Sequence, residues 1–156
     1  MFNLLKYWLN NSINVLECQL VLVLGIISLA MPKVLIVEDE IQIAKMYQLK
    51  LETSGFEVQT AFNGADGLRV AENFKPELIM LDLMMPVMDG GEMLKALRAK
   101  KWGANIRVII LTNISRDEAP TSMRLLNVDR YIIKAHYTPS QVVDIVNEVL
   151  RTKAPS

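Results

Sequence analysis

Four side chains that can carry out chemistry each follow an apolar run of the sequence. They are Glu38, Asp39, Asp82 and Lys134. The runs before them are residues 33–37, 77–81 and 130–133. If these runs are strands of one parallel sheet, the carboxylates and the amine meet at its carboxyl edge. Closely spaced carboxylates favour a hard cation such as Mg²⁺, which also takes phosphate oxygens as ligands. The pattern therefore predicts a site for a divalent cation and a phosphoryl group.

The elements that must position these residues follow from an alternation of strand-like and helix-like patterns that starts at residue 33. Continuous apolar runs such as Val34–Val37 are typical of strands buried on both faces. The predicted strands are 33–37, 56–60, 77–81, 107–111 and 131–133. The predicted helices are 41–54, 64–74, 90–100, 116–126 and 139–151. Five strands alternating with five helices predict an α/β fold, a parallel sheet covered on both faces.

The composition narrows the classes of function that the chain can have. The chain has 156 residues, 51% of them hydrophobic, which suffices for one domain with a buried core. Its 17 basic and 17 acidic residues balance, so no basic excess indicates nucleic-acid binding. One cysteine, Cys18, excludes an internal disulfide, and the lone histidine His136 does not complete a zinc site with it.

The first thirty residues differ from the rest because they hold only two charged residues, Lys6 and Glu17. The apolar run 20–30 is shorter than the roughly 20 residues that span a bilayer. Two interpretations of residues 1–30 stay open: an upstream start codon wrongly assigned, with the natural beginning at Met31, or a segment that associates weakly with a membrane. A removable export signal is disfavoured, because only Lys6 is basic and polar residues intervene before the apolar run.

From residue 33 to 151 the chain resembles the receiver domain of two-component response regulators. The resemblance rests on four motifs in order: the acidic pair Glu38-Asp39, the segment 82–90 (Asp-Leu-Met-Met-Pro-Val-Met-Asp-Gly), Thr112, and the segment 131–134 ending in Lys134. It implies a receiver domain over residues 31–153 and a flavodoxin-like, doubly wound sheet with the strand order 2-1-3-4-5. In that order the winding reverses between strands one and three, where the acidic residues lie.

The resemblance also implies the metal ligands and the acceptor. Asp82 resembles the phosphoacceptor, a carboxylate nucleophile that forms an acyl phosphate. Asp39 and Asp82 resemble the direct Mg²⁺ ligands, and Glu38 resembles the ligand that acts through water. The backbone carbonyl of Met84 would complete the protein's share of the coordination.

Three further residues resemble the groups that respond to phosphorylation. Lys134 resembles the amine that pairs with a phosphoryl oxygen. Thr112 resembles the hydroxyl that moves toward the phosphoryl group, and Tyr131 resembles the aromatic switch that then changes rotamer. The face formed by the fourth helix, the fifth strand and the fifth helix would thereby change for a downstream protein.

Three places depart from the family pattern: Ala135, Asn113, and Asn127-Val128, which replaces a more usual Gly-Ala. Ala135 follows Lys134 where the family usually has a proline, so we expect a trans peptide bond there. Asn113 follows Thr112 where a small residue is usual, and its amide would narrow the access of water or a partner phosphatase to the site. At Asn127 we expect a left-handed helix cap, the conformation that glycine usually adopts.

The sequence therefore predicts a cytoplasmic, single-domain response regulator, monomeric or weakly dimeric, that receives phosphate from a histidine kinase or a histidine phosphotransfer protein. It would bind no nucleic acid and act on no outside substrate, catalysing only its own phosphorylation and dephosphorylation. One alternative is a receiver-like scaffold that binds partners without phosphorylation. Another, an aspartate-nucleophile phosphatase, is disfavoured because Met84 stands where such enzymes have an acid.

Overall fold

Five strands and four α-helices make up the part of the chain that the computed structural model describes, residues 31–115, 117 and 126–152. The strands are β1 (Lys33–Val37), β2 (Glu57–Ala61), β3 (Leu78–Leu81), β4 (Arg107–Thr112) and β5 (Arg130–Ile133). The helices are α1 (Ile41–Thr53), α2 (Gly64–Phe74), α3 (Gly90–Arg98) and α4 (Pro139–Arg151). A short 3₁₀ helix, Lys134–His136, follows β5 directly.

All five strands are parallel and follow the order β2-β1-β3-β4-β5, which confirms the predicted topology. The register pairs Val37 with Ala61 on one side and with Leu81 on the other. Thr112 pairs with Ile133 farther along the sheet. The register thus brings the strand ends, and the residues that follow them, to one carboxyl edge.

Alternation along the strands builds two cores, one on each face of the sheet. Val34 and Ile36 face the core that α1 and α4 cover, whereas Leu35 and Val37 face the core that α2 and α3 cover. All four residues of β3 are buried, as expected for a central strand with helices on both sides. The sheet is therefore held from both faces, and its carboxyl edge remains open for a site.

Capping boxes mark the starts of two helices. Asp89 and Glu92 form a capping box at α3, and Thr138 and Gln141 form another at α4. With Pro139 in its first turn, α4 begins and ends at the predicted residues. The bounds of β1 and α2 also match their predictions, and the remaining elements differ at one end or both by one or two residues; for example, α3 ends at Arg98 and β4 extends to include Thr112.

The described residues contain four helices rather than the predicted five. The fifth prediction, over 116–126, lies outside the described residues except for Asp117 and Leu126, as does the predicted segment 1–30. Asn127 has φ 47°, so the predicted left-handed conformation is confirmed. The described chain has no cis peptide bond, in agreement with the trans bond expected before Ala135. Within it, no helix combines the length and apolarity needed to cross a membrane.

Candidate functional site

Three carboxylates meet at the carboxyl edge of β1 and β3. Glu38, Asp39 and Asp82 each offer an oxygen, and these oxygens lie within 4.8 Å of one another. Glu38 is 2% exposed and Asp82 is 6% exposed, while Asp39 is more accessible. Ionised carboxylates so close together repel unless a cation lies between them. The arrangement fits a small divalent cation that keeps several waters, as Mg²⁺ does.

The amine of Lys134 lies in the same pocket, with its side chain only 7% exposed. Its Nζ is 2.5 Å from Oε2 of Glu38 and 2.7 Å from Oδ2 of Asp82. The residue reaches this position because β5 ends at Ile133 and the 3₁₀ helix begins with Lys134. The lysine therefore bridges two of the three carboxylates and compensates their charge.

Burial and pairing set the protonation of this cluster. Burial raises the pKa of Glu38 above its ordinary value, although the hydrogen bond and the charge of Lys134 act against that rise. Burial alone would lower the pKa of Lys134, but its hydrogen bonds to Asp82 and Glu38 outweigh burial and raise it. Lys134 is consequently a cation at neutral pH, held between two acidic groups.

Two buried oxygens in and beside the pocket have no hydrogen-bond partner within the described part of the chain. They are Oε1 of Glu38 and the hydroxyl Oγ1 of Thr112. Most buried polar atoms in native proteins are satisfied, so an orphaned pair at one edge calls for an explanation. A hydrated cation beside Glu38 and an acceptor oxygen beside Thr112 would satisfy both atoms. The donor set therefore fits Mg²⁺ and a phosphoryl group.

The loop after β3 holds Asp82 firmly. The backbone N–H of Met84 donates to Oδ1 of Asp82 at 3.2 Å, which leaves the other carboxylate oxygen to Lys134. Gly90 packs against the peptide of Asp82 so closely that a Cβ atom would collide with the carbonyl oxygen of Asp82. Only glycine fits at this close approach, which places α3 directly against the residue that carries the carboxylate.

Tyr131 links β5 to the segment that follows β4. Its half-buried ring points its hydroxyl toward the segment after β4, where it donates to the carbonyl oxygens of Ile114 at 3.0 Å and Ser115 at 3.3 Å. Thr112 precedes this segment directly. A movement of the Thr112 loop would therefore break or remake the hydrogen bonds of Tyr131.

The structure brings Glu38, Asp39, Asp82 and Lys134 together as the sequence predicts. Thr112 lies at the end of β4, the strand next to β3, and the backbone of Met84 lies beside Asp82. Tyr131 lies one strand farther on, in β5, and its hydroxyl donates to the segment after β4. Sequence reasoning missed the close packing of Gly90 on Asp82, since Asp89-Gly90 is equally typical of an ordinary helix cap. It also missed the backbone of Val87, whose φ of 72° lies in the left-handed region, because no residue-type signal indicates that conformation for a valine.

The fold and this pocket define a class: doubly wound signalling domains with an acidic pocket and a lysine at the point where the winding reverses. Residues 34–147 match the family model described as the response regulator receiver domain. The chain belongs to this family.

Curated relatives agree with that assignment. The chain is 38% identical over 120 residues to the alkaline phosphatase synthesis transcriptional regulatory protein PhoP of Bacillus subtilis, covering 76% of this chain and 48% of PhoP. It is 34% identical over 122 residues to the transcriptional regulatory protein PrrA of Mycobacterium leprae, covering 78% of this chain and 51% of PrrA. The chain thus spans about half the length of these relatives.

Solved structures match over nearly their whole length. The chemotaxis response regulator CheY4 of Vibrio cholerae superposes with a TM-score of 0.70 at 29% identity, covering 76% of this chain and 98% of CheY4. A BeF₃-activated DrrB receiver domain matches with a TM-score of 0.67 at 27% identity, covering 78% of this chain and 99% of that domain. The fold of this chain is therefore the fold of those receivers.

Proposed function

We propose that this chain takes a phosphoryl group from a phosphohistidine, on a histidine kinase or a phosphotransfer protein, onto the carboxylate of Asp82. The observation that carries the proposal is the pocket itself: a buried aspartate paired with Lys134 and flanked by two further carboxylates and by the hydroxyl of Thr112, which has no partner among the described residues. The proposal also places the chain in the cytoplasm, because its phosphodonors act there.

In the proposed transfer, an oxygen of Asp82 attacks the phosphorus atom. The P–N bond of the donor breaks, and its electron pair stays on the imidazole nitrogen. An acyl phosphate forms on Asp82. Asp39, Asp82 and Glu38 would hold Mg²⁺ together with the carbonyl of Met84. Bound there, the cation would offset charge on the transferring group.

Lys134 has two roles in this proposal. Before transfer, its ammonium group shields the charge of Asp82 and Glu38. After transfer, it pairs with a phosphoryl oxygen in place of the Asp82 carboxylate. Phosphorylation brings about two negative charges and strong acceptor oxygens, so an ammonium already in the pocket needs little rearrangement.

We expect the response to phosphorylation to start at the hydroxyl of Thr112, which has no hydrogen-bond partner in the described part of the chain. The hydroxyl of Thr112 gains an acceptor when a phosphoryl oxygen arrives, and the loop after β4 moves with it. The hydroxyl of Tyr131 then loses its present acceptors, Ile114 and Ser115, and the ring takes another position. The surface that includes β5 and α4 changes in consequence, and a protein partner binds the changed surface with a different affinity. Water attack on the phosphorus later restores the carboxylate and releases inorganic phosphate.

The test is labelling with acetyl phosphate and Mg²⁺. We expect a hydroxylamine-sensitive phosphoprotein that forms in wild type and in Asp144→Asn, a variant of an exposed aspartate on α4. We expect none in Asp82→Asn and none in the presence of EDTA. Equal labelling of Asp82→Asn would show that the acceptor is another residue. Absence of labelling in wild type would favour a scaffold that works without phosphorylation.

A further inference from the structure

A shallow groove of about 350 Å³ lies at the amino edge of the sheet, beside the starts of β3 and β4. Four of the residues that line it are apolar: Pro76, Trp102, Ile106 and Leu150. Trp102 and Ile106 pack against the core that α2 and α3 cover, whereas Leu150 packs against the core that α1 and α4 cover. These three residues are only half-buried, so part of their apolar surface stays exposed to solvent. We call the four residues the apolar groove.

Exposed cations flank the apolar groove. Each lies within two residues of a groove residue along the chain: Lys75, Lys100, Lys101 and Arg151. None of the four forms an ion pair in the part of the chain that the structure describes. The carboxylates closest to them along the chain are Glu72, Glu77 and Glu148, of which Glu148 pairs with Arg130 at 2.6 Å. The four cations, which we call the basic rim, therefore keep an excess of positive charge beside the groove.

The two edges of the sheet carry opposite charge. The carboxyl edge gathers the three carboxylates of the pocket, and Glu40, Asp66 and Asp89 lie at the starts of the helices that follow the strands. The chain as a whole is neutral, so its charges are unevenly distributed rather than in excess. A negatively charged surface attracts the basic rim and repels the carboxyl edge. A domain bound to such a surface by its amino edge holds the pocket of Asp82 away from it.

The chain also enters this domain at the amino edge. Lys33 opens β1, and the N–H of Glu57 donates to the carbonyl of Pro32 at 3.0 Å, so Pro32 is held at the amino ends of β1 and β2. The sequence before it has an apolar run over 20–30, shorter than the roughly 20 residues that span a bilayer. A single short apolar anchor binds a membrane only weakly, and stable attachment takes a second signal such as a basic patch. The basic rim supplies such a patch at the edge where the run joins the domain.

We propose that the amino edge of this domain binds the surface of an anionic phospholipid bilayer through the basic rim and the apolar groove. The lysine and arginine side chains pair with the lipid phosphates, which give the cytoplasmic leaflet its negative charge. Trp102 lies at the depth of the headgroups, where tryptophan is enriched because its ring is apolar and its N–H is polar. This role goes beyond the proposed phosphotransfer and does not depend on it. It holds the domain at a membrane with the pocket of Asp82 facing the aqueous phase.

The first experiment measures co-sedimentation of the full chain with vesicles of phosphatidylcholine, alone or mixed with phosphatidylglycerol. We expect binding to the mixed vesicles only, and less of it at high salt, which screens the charges. Lys101→Gln should weaken binding about five-fold and Lys100→Gln/Lys101→Gln about thirty-fold, since each basic side chain near the surface contributes a similar share. The matched control is Lys45→Gln, at an exposed lysine of α1 outside the rim, which should bind as wild type does. All three lysines are exposed, so the variants should fold as wild type does.

The second experiment asks whether the groove itself meets the lipid. The chain has two tryptophans, so Trp8→Phe leaves Trp102 as the only one. We expect mixed vesicles whose lipids are brominated near the headgroup to quench the fluorescence of Trp102 in that variant. Brominated vesicles of phosphatidylcholine alone should leave it unchanged. Acetyl phosphate should label vesicle-bound wild type at the rate of the free protein, because the pocket of Asp82 lies at the opposite edge.

The inference fails if the wild-type chain does not bind mixed vesicles, or if it binds phosphatidylcholine equally well. It also fails if the Lys100→Gln/Lys101→Gln variant binds as wild type does, or if Trp102 is not quenched, because residues 1–30 alone then make the contact with the bilayer. Labelling that is lost only on the vesicle would show that the carboxyl edge faces the lipid instead of the amino edge.

Discussion

The two edges of the β-sheet differ in how far their polar groups are hydrogen-bonded. At the carboxyl edge, Oε1 of Glu38 and Oγ1 of Thr112 are buried without a partner among the described residues, and Val87 holds a disfavoured backbone. At the amino edge, two arginines donate to several carbonyl and carboxylate acceptors. The carboxyl edge thus leaves two buried oxygens without a partner among the described residues, whereas the arginines at the amino edge hold separate segments of the chain together by hydrogen bonds.

Arg98 is the clearest case at the amino edge. Its guanidinium donates to four backbone carbonyls from two different connections of the chain. The acceptors are Gly103, Ile106, Leu126 and Asn127, at 2.7 to 3.1 Å. The first two precede β4 and the last two precede β5, so one side chain holds the segments that lead into both strands. A planar fork of five donors suits this task.

Arg107 continues the network. It forms a largely buried ion pair with Asp129 at 2.9 Å and donates to the backbone of Thr152 just beyond α4. Asp129 in turn accepts from the N–H of Val108 at 2.9 Å. The contacts at the amino edge stabilise the fold, and this stability offsets the cost of the unsatisfied and strained groups at the carboxyl edge, which a ligand or a partner can use.

The largest effect that would test this comparison is the loss of the Arg98 side chain. Arg98→Ala leaves four carbonyls without their donor, and we expect the free energy of unfolding in urea to fall by about 2–3 kcal/mol. Arg69→Ala is the matched control: among the described residues the Arg69 side chain pairs with Asp66 alone, and this pair is exposed, so its loss should change the free energy of unfolding far less. Acetyl phosphate should still label folded Arg98→Ala. Equal stability of the two variants would show that the hydrogen bonds of Arg98 do not stabilise the fold.

The second effect concerns Lys134 and the cation. In Lys134→Met the positive charge beside the carboxylates is lost, and we expect Mg²⁺ to bind about ten-fold more tightly, since a cation no longer competes for the same oxygens. Calorimetric titration of the metal-free protein measures this change. Lys100→Met, at an exposed lysine of the amino edge, should bind Mg²⁺ as wild type does. Weaker binding in Lys134→Met would show that the lysine organises the pocket more than it competes.

A third and smaller effect tests the strain at the carboxyl edge. Val87→Gly places a residue without a Cβ atom at φ 72°, and we expect the free energy of unfolding to rise by about 0.5–1 kcal/mol. Val87→Ile should give no gain, because isoleucine is also β-branched. Urea unfolding of the three proteins decides the matter, and a destabilised glycine variant would mean that the backbone there is not strained.

The smallest effect is the pH dependence of Glu38. Its pKa is raised above the ordinary 4.5, so the folded protein disfavours the ionised form. The folded state therefore gains stability from this group as pH falls toward 4.5, and loses it as pH rises through the raised pKa. Without Mg²⁺, Glu38→Gln should be more stable than wild type at pH 7.

The same advantage should shrink as the pH falls to about 4.5 and below, because the wild-type carboxyl then becomes neutral in the folded and the unfolded state. Urea unfolding of both proteins in EDTA, at pH 7 and at about pH 4.5, gives the difference. A wild type that is more stable than Glu38→Gln at pH 7 would mean that the pair with Lys134 outweighs burial.

The elements of the fold follow closely from local patterns. Apolar runs predicted the five strands to within about a residue, and the predicted helices 64–74 and 139–151 match α2 and α4 at both ends, because capping and burial act over a few residues. The strand order came from the resemblance to receiver domains, since a period of apolar residues does not say which strands are neighbours. Residue type alone also says nothing of backbone strain, and so Val87 passed unnoticed.

Residue types alone place three carboxylates and one amine at the strand ends: Glu38, Asp39, Asp82 and Lys134. Which of their atoms touch depends on how the whole chain packs. Lys134 reaches Asp82 across 52 residues of chain, and Arg98 reaches Asn127 across 29. Such contacts depend on the register of the whole sheet and on the packing of its helices, and these arise from the sum of many weak burial and hydrogen-bond terms that no short window of sequence contains.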